Sequence, residues 1–466
     1  MATVEQDIRP VYHFTPRQGW VNDPNGLVCF KGQYHLFAQH NPHDVRWGPM
    51  HWLHAVSNDL VHWQEYPIAL TPDADGMFFS GSAWYDADNR SGLGTAENPP
   101  LLLFYTLTGD KPQAQHLAWS GDGIHYQYDN QNPIVENPGI VDFRDPKVFF
   151  DPKGKRFHMV VAAGDHIEFF VSDNFRHWTY TGTFGPEGNH CPGVWECPDL
   201  FPLEYEGQTY WVLLISHIRP RESGGPKTQY FIGQFDGQSF HCTQPESAPV
   251  WFDPGLDNYA SVSFAGVPFP LVIGWGSNWD YEAHLPSHEY NGQMTYPRAL
   301  RLTGTSQGLR LAASPWPDFS DLSPLQLDRM IDQQAGKTVI SNPTVIRIQA
   351  EGTFSLKLSN DSGEHWSIYL NVQNELILDR QAATKDIFWP ETTEDAFSRV
   401  SISRMSNTSC SLTLFLDRTN IEVFADDGLI ACHQLLFARQ PYDQLMFEGE
   451  AIVTVRDLTR DAIVLP

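Results

Sequence analysis

A two-part unit recurs across the first two-thirds of the chain, and this repetition constrains the fold more than any other feature. Its second half reads AVSNDLVHW at 55–63, AWSGDGIHY at 118–126 and FVSDNFRHW at 170–178. Each copy is a short strand, a Ser-led polar turn and an aromatic strand, with FIGQFDGQSF (231–240) a degenerate fourth. The first half is a polar start, an apolar strand, a Gly or Pro turn and an aromatic-rich strand. It begins at Asp23, Arg144 and Glu196, with looser copies from Phe79 and Asp257. Five such units, each about the length of one four-stranded sheet, predict a five-bladed β-propeller. Two stacked sandwiches would also contain many short strands, but they would not repeat one two-part unit.

Beyond residue 312 the texture changes. A Pro-punctuated, then briefly helix-like stretch, 313–336, reads as a connector. From 337 to 466 come alternating segments such as TVIRIQA, FSLKLSN, HWSIYLNV, SLTLFLD and NIEVFAD, separated by turn signals. They predict a C-terminal antiparallel β-sandwich, so the fold class is all-β, with the propeller spanning 1–312.

Charge narrows the partners. Fifty-six acidic against 30 basic residues give a net charge of -26, which repels nucleic acid and anionic membranes and suits a neutral substrate. No apolar run is long enough for a membrane-spanning helix. The N-terminus lacks the basic-then-apolar pattern of a signal peptide, so a cytoplasmic location is expected, with a trimmed secreted form the alternative. Six scattered cysteines suggest free thiols; Cys191 and Cys197, the closest pair, match no common zinc spacing. The sequence carries no signal for oligomeric state.

Taken alone, Asn-Asp-Pro-Asn-Gly at 22–26 is what a tight turn requires. However, three units open with a carboxylate at what reads as the same place: Asp23, Asp145 and Glu196. The first strand of a propeller blade is innermost, so these acids should converge on one axial pocket. Such crowding of negative charge serves cation binding or acid–base work. A calcium loop needs oxygens closely spaced in sequence, and none is seen, so no metal is expected. His51 and His54 (H-x-x-H) lack helical context and read as blade packing. The amides of Asn22 and Asn25 should keep Asp23 ionised, and Arg144 should do the same for Asp145. Trp195 and Cys197 should wall Glu196 and favour its protonated form. One charged and one protonated carboxyl is the arrangement glycoside cleavage uses.

The motifs WVNDPNG (20–26), FSGSA (79–83), FRDPKV (143–148), WECPDLF (195–201) and LFLDRTNIEVFADDG (414–428) resemble those of the glycoside hydrolase family 32 β-fructosidases, a group of invertases, inulinases and levanases. The resemblance runs nearly end to end and implies the same propeller-plus-sandwich architecture. It implies that Asp23 is the nucleophile, Glu196 the general acid/base and Asp145 the transition-state stabiliser. It places Asn22, Gln39, Trp47, Phe79, Ser80, Arg144, Tyr259 and Trp279 in the substrate pocket. His40 departs from the aromatic residue that usually follows the glutamine. The implied activity is retaining, exo-acting release of terminal non-reducing β-D-fructofuranosyl residues from fructans, fructo-oligosaccharides and sucrose, without a cofactor. Segment 274–292 resembles the inulinase and levanase branch and contains Asp280, Glu282 and Glu289 but no Lys or Arg, which disfavours a phosphorylated substrate. The alternatives are a fructosyltransferase, a sucrose-6-phosphate hydrolase, or a non-catalytic sugar-binding protein, the last disfavoured by the presence of all three acids.

Overall fold

A computed structural model describes residues 9–186, 192–218, 225–244, 248–286, 289–322, 328–332, 336–384, 397–406 and 409–458. Strands dominate. The first five sheets are the expected blades, numbered I to V here, with inner strands Gly19–Phe30, Met77–Tyr85, Phe143–Asp151, Val194–Tyr205 and Tyr259–Ser263. Within each blade the strands pair antiparallel in simple succession outward from the axis. The ring is latched where Tyr290–Asn291, between strands of blade V, pairs parallel with Gly19 and Trp20 of blade I.

The repeat has a physical basis in the turn between third and fourth strands. In blades I, II and III the hydroxyls of Ser57, Ser120 and Ser172 accept the N–H of Leu60, Gly123 and Phe175. All three of those residues have a positive φ. Asp59, Asp122 and Asn174 each accept the next pair of N–H groups. A short polar side chain that replaces backbone partners in the turn is why Ser-x-Asp/Asn recurs. Neighbouring blades are glued by apolar clusters; Val28 and Phe37 of blade I, for example, pack with Leu103 and Ala118 of blade II. His54 belongs to this packing. It is buried, stacks on Phe37 at 4.4 Å and hydrogen-bonds His35, while His51 turns to the Pro49 carbonyl.

The outer strand of blade V, Gly308–Pro315, runs past the expected boundary at 312. Beyond it, Arg329–Met330 is a short strand paired with Val455 and Thr454, where the sequence reads as helix-like; pairing with a long partner strand overrides local propensity there. The remaining strands make a sandwich-like region around two long strands, Thr344–Ser359 and Gln444–Asp457. TVIRIQA and FSLKLS, read as separate strands, are one bulged strand. Its first half pairs with Cys410–Leu416 and its second with His365–Leu370. Glu375–Asp379 and Arg399–Ser403 extend the sheet beyond His365–Leu370, and Asn420–Ala425 and Ile430–Leu435 extend it beyond Cys410–Leu416.

The two regions lock through buried charge. Asp417 accepts the N–H of Val11 and Tyr12 and pairs with His13. Arg298 of blade V pairs with Asp253 at 3.0 Å and with Glu422 of the sandwich at 2.8 Å, and His433 lies 3.0 Å from Glu422. Cys29, Cys197, Cys410 and Cys432 are free thiols; Cys191 lies outside the described residues.

Candidate active site

Each inner strand breaks its ladder at the same end of the propeller. The register shifts fall between Val21 and Pro24, Phe79 and Gly81, Arg144 and Lys147, Glu196 and Asp199, and Tyr259 and Val262. Asp145, Cys197 and Ala260 there have φ of 66°, 47° and 52°. A bulge unpairs one or two residues and re-aims their side chains. Proline follows Asp23, Asp145 and Cys197, and its missing N–H costs nothing where the ladder is already interrupted. The sequence thus turns four of the five strand ends directly onto one cavity of about 230 Å³, lined by Asn22, Asp23, Gln39, Trp47, Phe79, Ser80, Arg144, Asp145, Glu196, Ile218 and Trp279.

This register corrects one expectation. Asp145-Pro146 aligns with Cys197-Pro198, so Glu196 stands one residue earlier than Asp145 and two earlier than Asp23, level with Arg144 and Tyr259. Those three side chains meet. Arg144 donates from Nη2 to Oε1 of Glu196 at 2.7 Å and from Nη1 to Asp142 at 2.6 Å. The Tyr259 hydroxyl donates to Oε2 of Glu196 at 2.6 Å. Trp195 does not wall Glu196: its ring is buried within the blades against Phe184, Phe231 and His217.

Asp23 is half-buried and lines this cavity. Its Oδ2 accepts the Ser80 hydroxyl at 2.8 Å and the Cys197 thiol at 3.6 Å, whereas Oδ1 accepts no hydrogen bond among the described residues. Asn25 lies instead against Ser80, Gly81 and Gln39. Burial pushes the Asp23 carboxyl up to about 6, and the Glu196 charge adds to this, with Ser80, Asn22 and Cys197 opposing. Burial also pushes Asp145 up to about 7, against the pull of Arg144. The expected effect of adjacent amides and of Arg144 is therefore outweighed by desolvation. Asp145 is held by the Cys197 N–H at 2.8 Å, and its own N–H donates to Thr106 Oγ1.

The other predicted residues gather here too. Trp47, 45% exposed, stands at the mouth edge-on to Phe79. Trp279 packs on Trp275 and Trp20, and the Trp20 indole N–H donates to Asn22. Gln39 donates to the Phe78 carbonyl. Tyr259 sits behind Glu196 rather than on the cavity wall. Thr106 and Ile218 escaped sequence reasoning, and Cys197, read there as a wall of Glu196, instead contacts Asp145 and Asp23; aligning Glu-Cys-Pro with Arg-Asp-Pro would have exposed that role. Among the described residues, the cluster of three metal-ligating groups whose atoms lie within 4.8 Å of one another is His13, Glu422 and His433, not the three acids. Arg298 already pairs with that cluster.

Residues 13–315 match the N-terminal domain of glycosyl hydrolases family 32, and residues 331–459 match its C-terminal domain. The chain belongs to this family. It is 37% identical over 446 residues to a levanase of Bacillus subtilis, covering 91% of this chain and 65% of that protein. It is 32% identical to an extracellular exo-inulinase of Aspergillus niger, covering 91% and 88%. A crystal structure of exo-inulinase from Aspergillus awamori superposes with a TM-score of 0.88 at 27% identity, covering 98% of this chain and 99% of that one. The chain spans 65% and 49% of the lengths of two levanases it matches. Family membership agrees with the architecture of blades and sandwich derived above.

Proposed function

We propose that the protein is a retaining glycoside hydrolase that releases terminal non-reducing β-D-fructofuranosyl residues from fructans, fructo-oligosaccharides and sucrose. The observation that carries this reading is the asymmetry of the carboxyls. Asp23 has one oxygen held by Ser80 and one with free lone pairs, while both oxygens of Glu196 are held by donors. The first suits attack and the second suits positioned proton transfer.

In the first step, Oδ1 of Asp23 attacks the anomeric carbon. The glycosidic C–O bond breaks, and its electron pair leaves on the oxygen, which takes the proton of Glu196. A covalent fructosyl ester on Asp23 results. In the second step Glu196 takes a proton from water as that water attacks the anomeric carbon, and Asp23 leaves as carboxylate. Asp145, on the same wall, accepts hydrogen bonds from sugar hydroxyls as charge develops on the ring. Crowding three acids in one buried cavity favours retention of a proton among them, as the acid step requires.

A cavity of about 230 Å³ is small beside the roughly 300–1,000 Å³ of drug-sized sites, so it suits one sugar ring, hence a chain end. Among the described lining residues Arg144 is the one cation, and Glu196 and Asp142 engage it. This disfavours a sugar phosphate. Relatives named levanase and exo-inulinase support the fructan reading. The test is a product profile on sucrose, inulin, levan and sucrose 6-phosphate. Fructose should be the early product from both polymers. Fructo-oligosaccharides as early products, or a specificity constant for sucrose 6-phosphate well above the others, would overturn the reading.

A further inference from the structure

A second cavity is larger than the one that holds the acids. It has about 550 Å³ and lies at the rim of blade II, bounded by the segment before Met77, the 107–112 hairpin and the segment from Tyr128 to Asn137. It is on the same side of the propeller as the catalytic funnel. Met77 and Thr108 pair at the end of blade II that carries Phe79, and successive residues of one strand point to opposite faces. Phe79 therefore lines the funnel and Phe78 lines the rim cavity. Gln39 of the funnel fixes this junction by donating to the Phe78 carbonyl.

The wall of the cavity is aromatic. Tyr128, 48% exposed, stacks on Phe78 at 5.9 Å and 13°, and Tyr105 packs at a tilt between Phe78 and His116. Tyr105 is 2% exposed and lines the cavity, yet its hydroxyl makes no hydrogen bond among the described residues. Burial lowers His116 to about 4, so its ring is neutral and offers one donor and one acceptor. The polar margin is acidic, with Asp73 and Glu136, and the single lysine, Lys111, faces Asp75 at 3.8 Å. A flat apolar face, a cavity-lining tyrosine hydroxyl open to a new partner and an acidic margin that repels phosphate suit a neutral polyhydroxyl ligand.

We propose that this rim cavity is a second, non-catalytic saccharide site that holds a segment of neutral fructan chain beside the funnel. The site rests on the reading of the substrate as a fructan. It would raise the effective concentration of chain ends at the funnel without touching the reacting bond.

The test pairs kinetics with binding. Tyr128→Ala removes the exposed stacking face, and Tyr105→Phe removes only the unpartnered hydroxyl, a change small enough to preserve the fold. The apparent KM for inulin or levan should rise about fivefold in Tyr128→Ala and about twofold in Tyr105→Phe, as loss of one aromatic contact or one hydrogen bond predicts. All constants for sucrose should stay within about twofold, since sucrose is too short to reach both cavities. Calorimetric titration of inulin and levan into Asp23→Asn protein, which binds without turnover, should show affinity lost on adding Tyr128→Ala. Unchanged polymer constants in both variants, or an equal rise for sucrose, overturns the site. Wild-type protein that splits neither polymer would remove the substrate reading and the site with it, and this is seen before any variant is made.

Discussion

The hydroxyl of Tyr259 lies 2.6 Å from Oε2 of Glu196, donated from a side chain that is 1% exposed and anchored at the bulge of blade V. One blade thus positions the carboxyl carried by its neighbour. The Tyr259→Phe variant should keep its melting temperature and lose about tenfold or more in kcat, the worth of one hydrogen bond to a charged group. A fall in melting temperature with activity per folded molecule intact would make Tyr259 a packing residue instead.

Glu196→Gln removes the proposed proton donor. Because protonation helps departure only where the leaving oxygen is basic, cleavage of sucrose should drop by about 10²–10⁴-fold. An aryl fructoside with an acidic phenol should lose far less. Equal losses on the two substrates would exclude Glu196 as the acid.

Asp23 links activity to stability. Its folded value of about 6 lies above the ordinary 3.8, so the folded state retains the proton longer than the unfolded chain. Stability is therefore highest below about pH 4 for this group and is lost as pH rises through 6, by roughly 2–3 kcal/mol in total. Asp23→Asn should abolish turnover and raise the melting temperature at pH 7, with the gain vanishing near pH 4. The acidic limb of wild-type kcat/KM should fall near pH 6, and Ser80→Ala, which deletes a donor to the carboxylate, should move it upward. A destabilised, inactive Asp23→Asn would point to a structural turn.

Between the propeller and the sandwich, the interactions of Asp417 and Glu422 hold their carboxyls below the usual range despite burial. Stability from these groups is present above their ordinary values and is lost as pH falls through the folded ones. Hydrogen bonds to Asp417 and Glu422 raise His13, so its contribution is present below about 6.5 and is lost as pH rises through the folded value. Glu422→Gln leaves Arg298 short of one buried partner and should cost about 3–5 kcal/mol. Urea unfolding at pH 7 reads this directly; a midpoint within error of wild type would remove the lock from the account.

Much of this was legible in the chain because turn chemistry is local. Ser57, Ser120 and Ser172 mark equivalent turns through hydrogen bonds to residues two and three positions away, so the repeat survives in sequence. The convergence of Asp23, Asp145 and Glu196 on one cavity was legible for the same reason, as Asp-Pro and Cys-Pro pairs mark bulges. The electrostatics were not. Arg144 adjoins Asp145 in sequence but reaches Glu196 in space, and Trp195 adjoins Glu196 but points into the blade. Desolvation, which sets the direction for Asp23 and Asp145, depends on five blades closing around them. The continuity of Thr344–Ser359 was hidden because a bulge at 350–354 breaks its alternation.

The central claim is a covalent fructosyl ester on Asp23, and the most direct measurement is to trap it. In the Glu196→Gln protein an aryl fructoside can still load the nucleophile, whereas water lacks its general base and the ester should accumulate. Mass spectrometry of peptides after acid quench should find one added fructosyl unit on the peptide containing Asp23, absent when Asp23→Asn is also present. A label on any other residue, or a burst of phenol without a labelled peptide, would contradict the account.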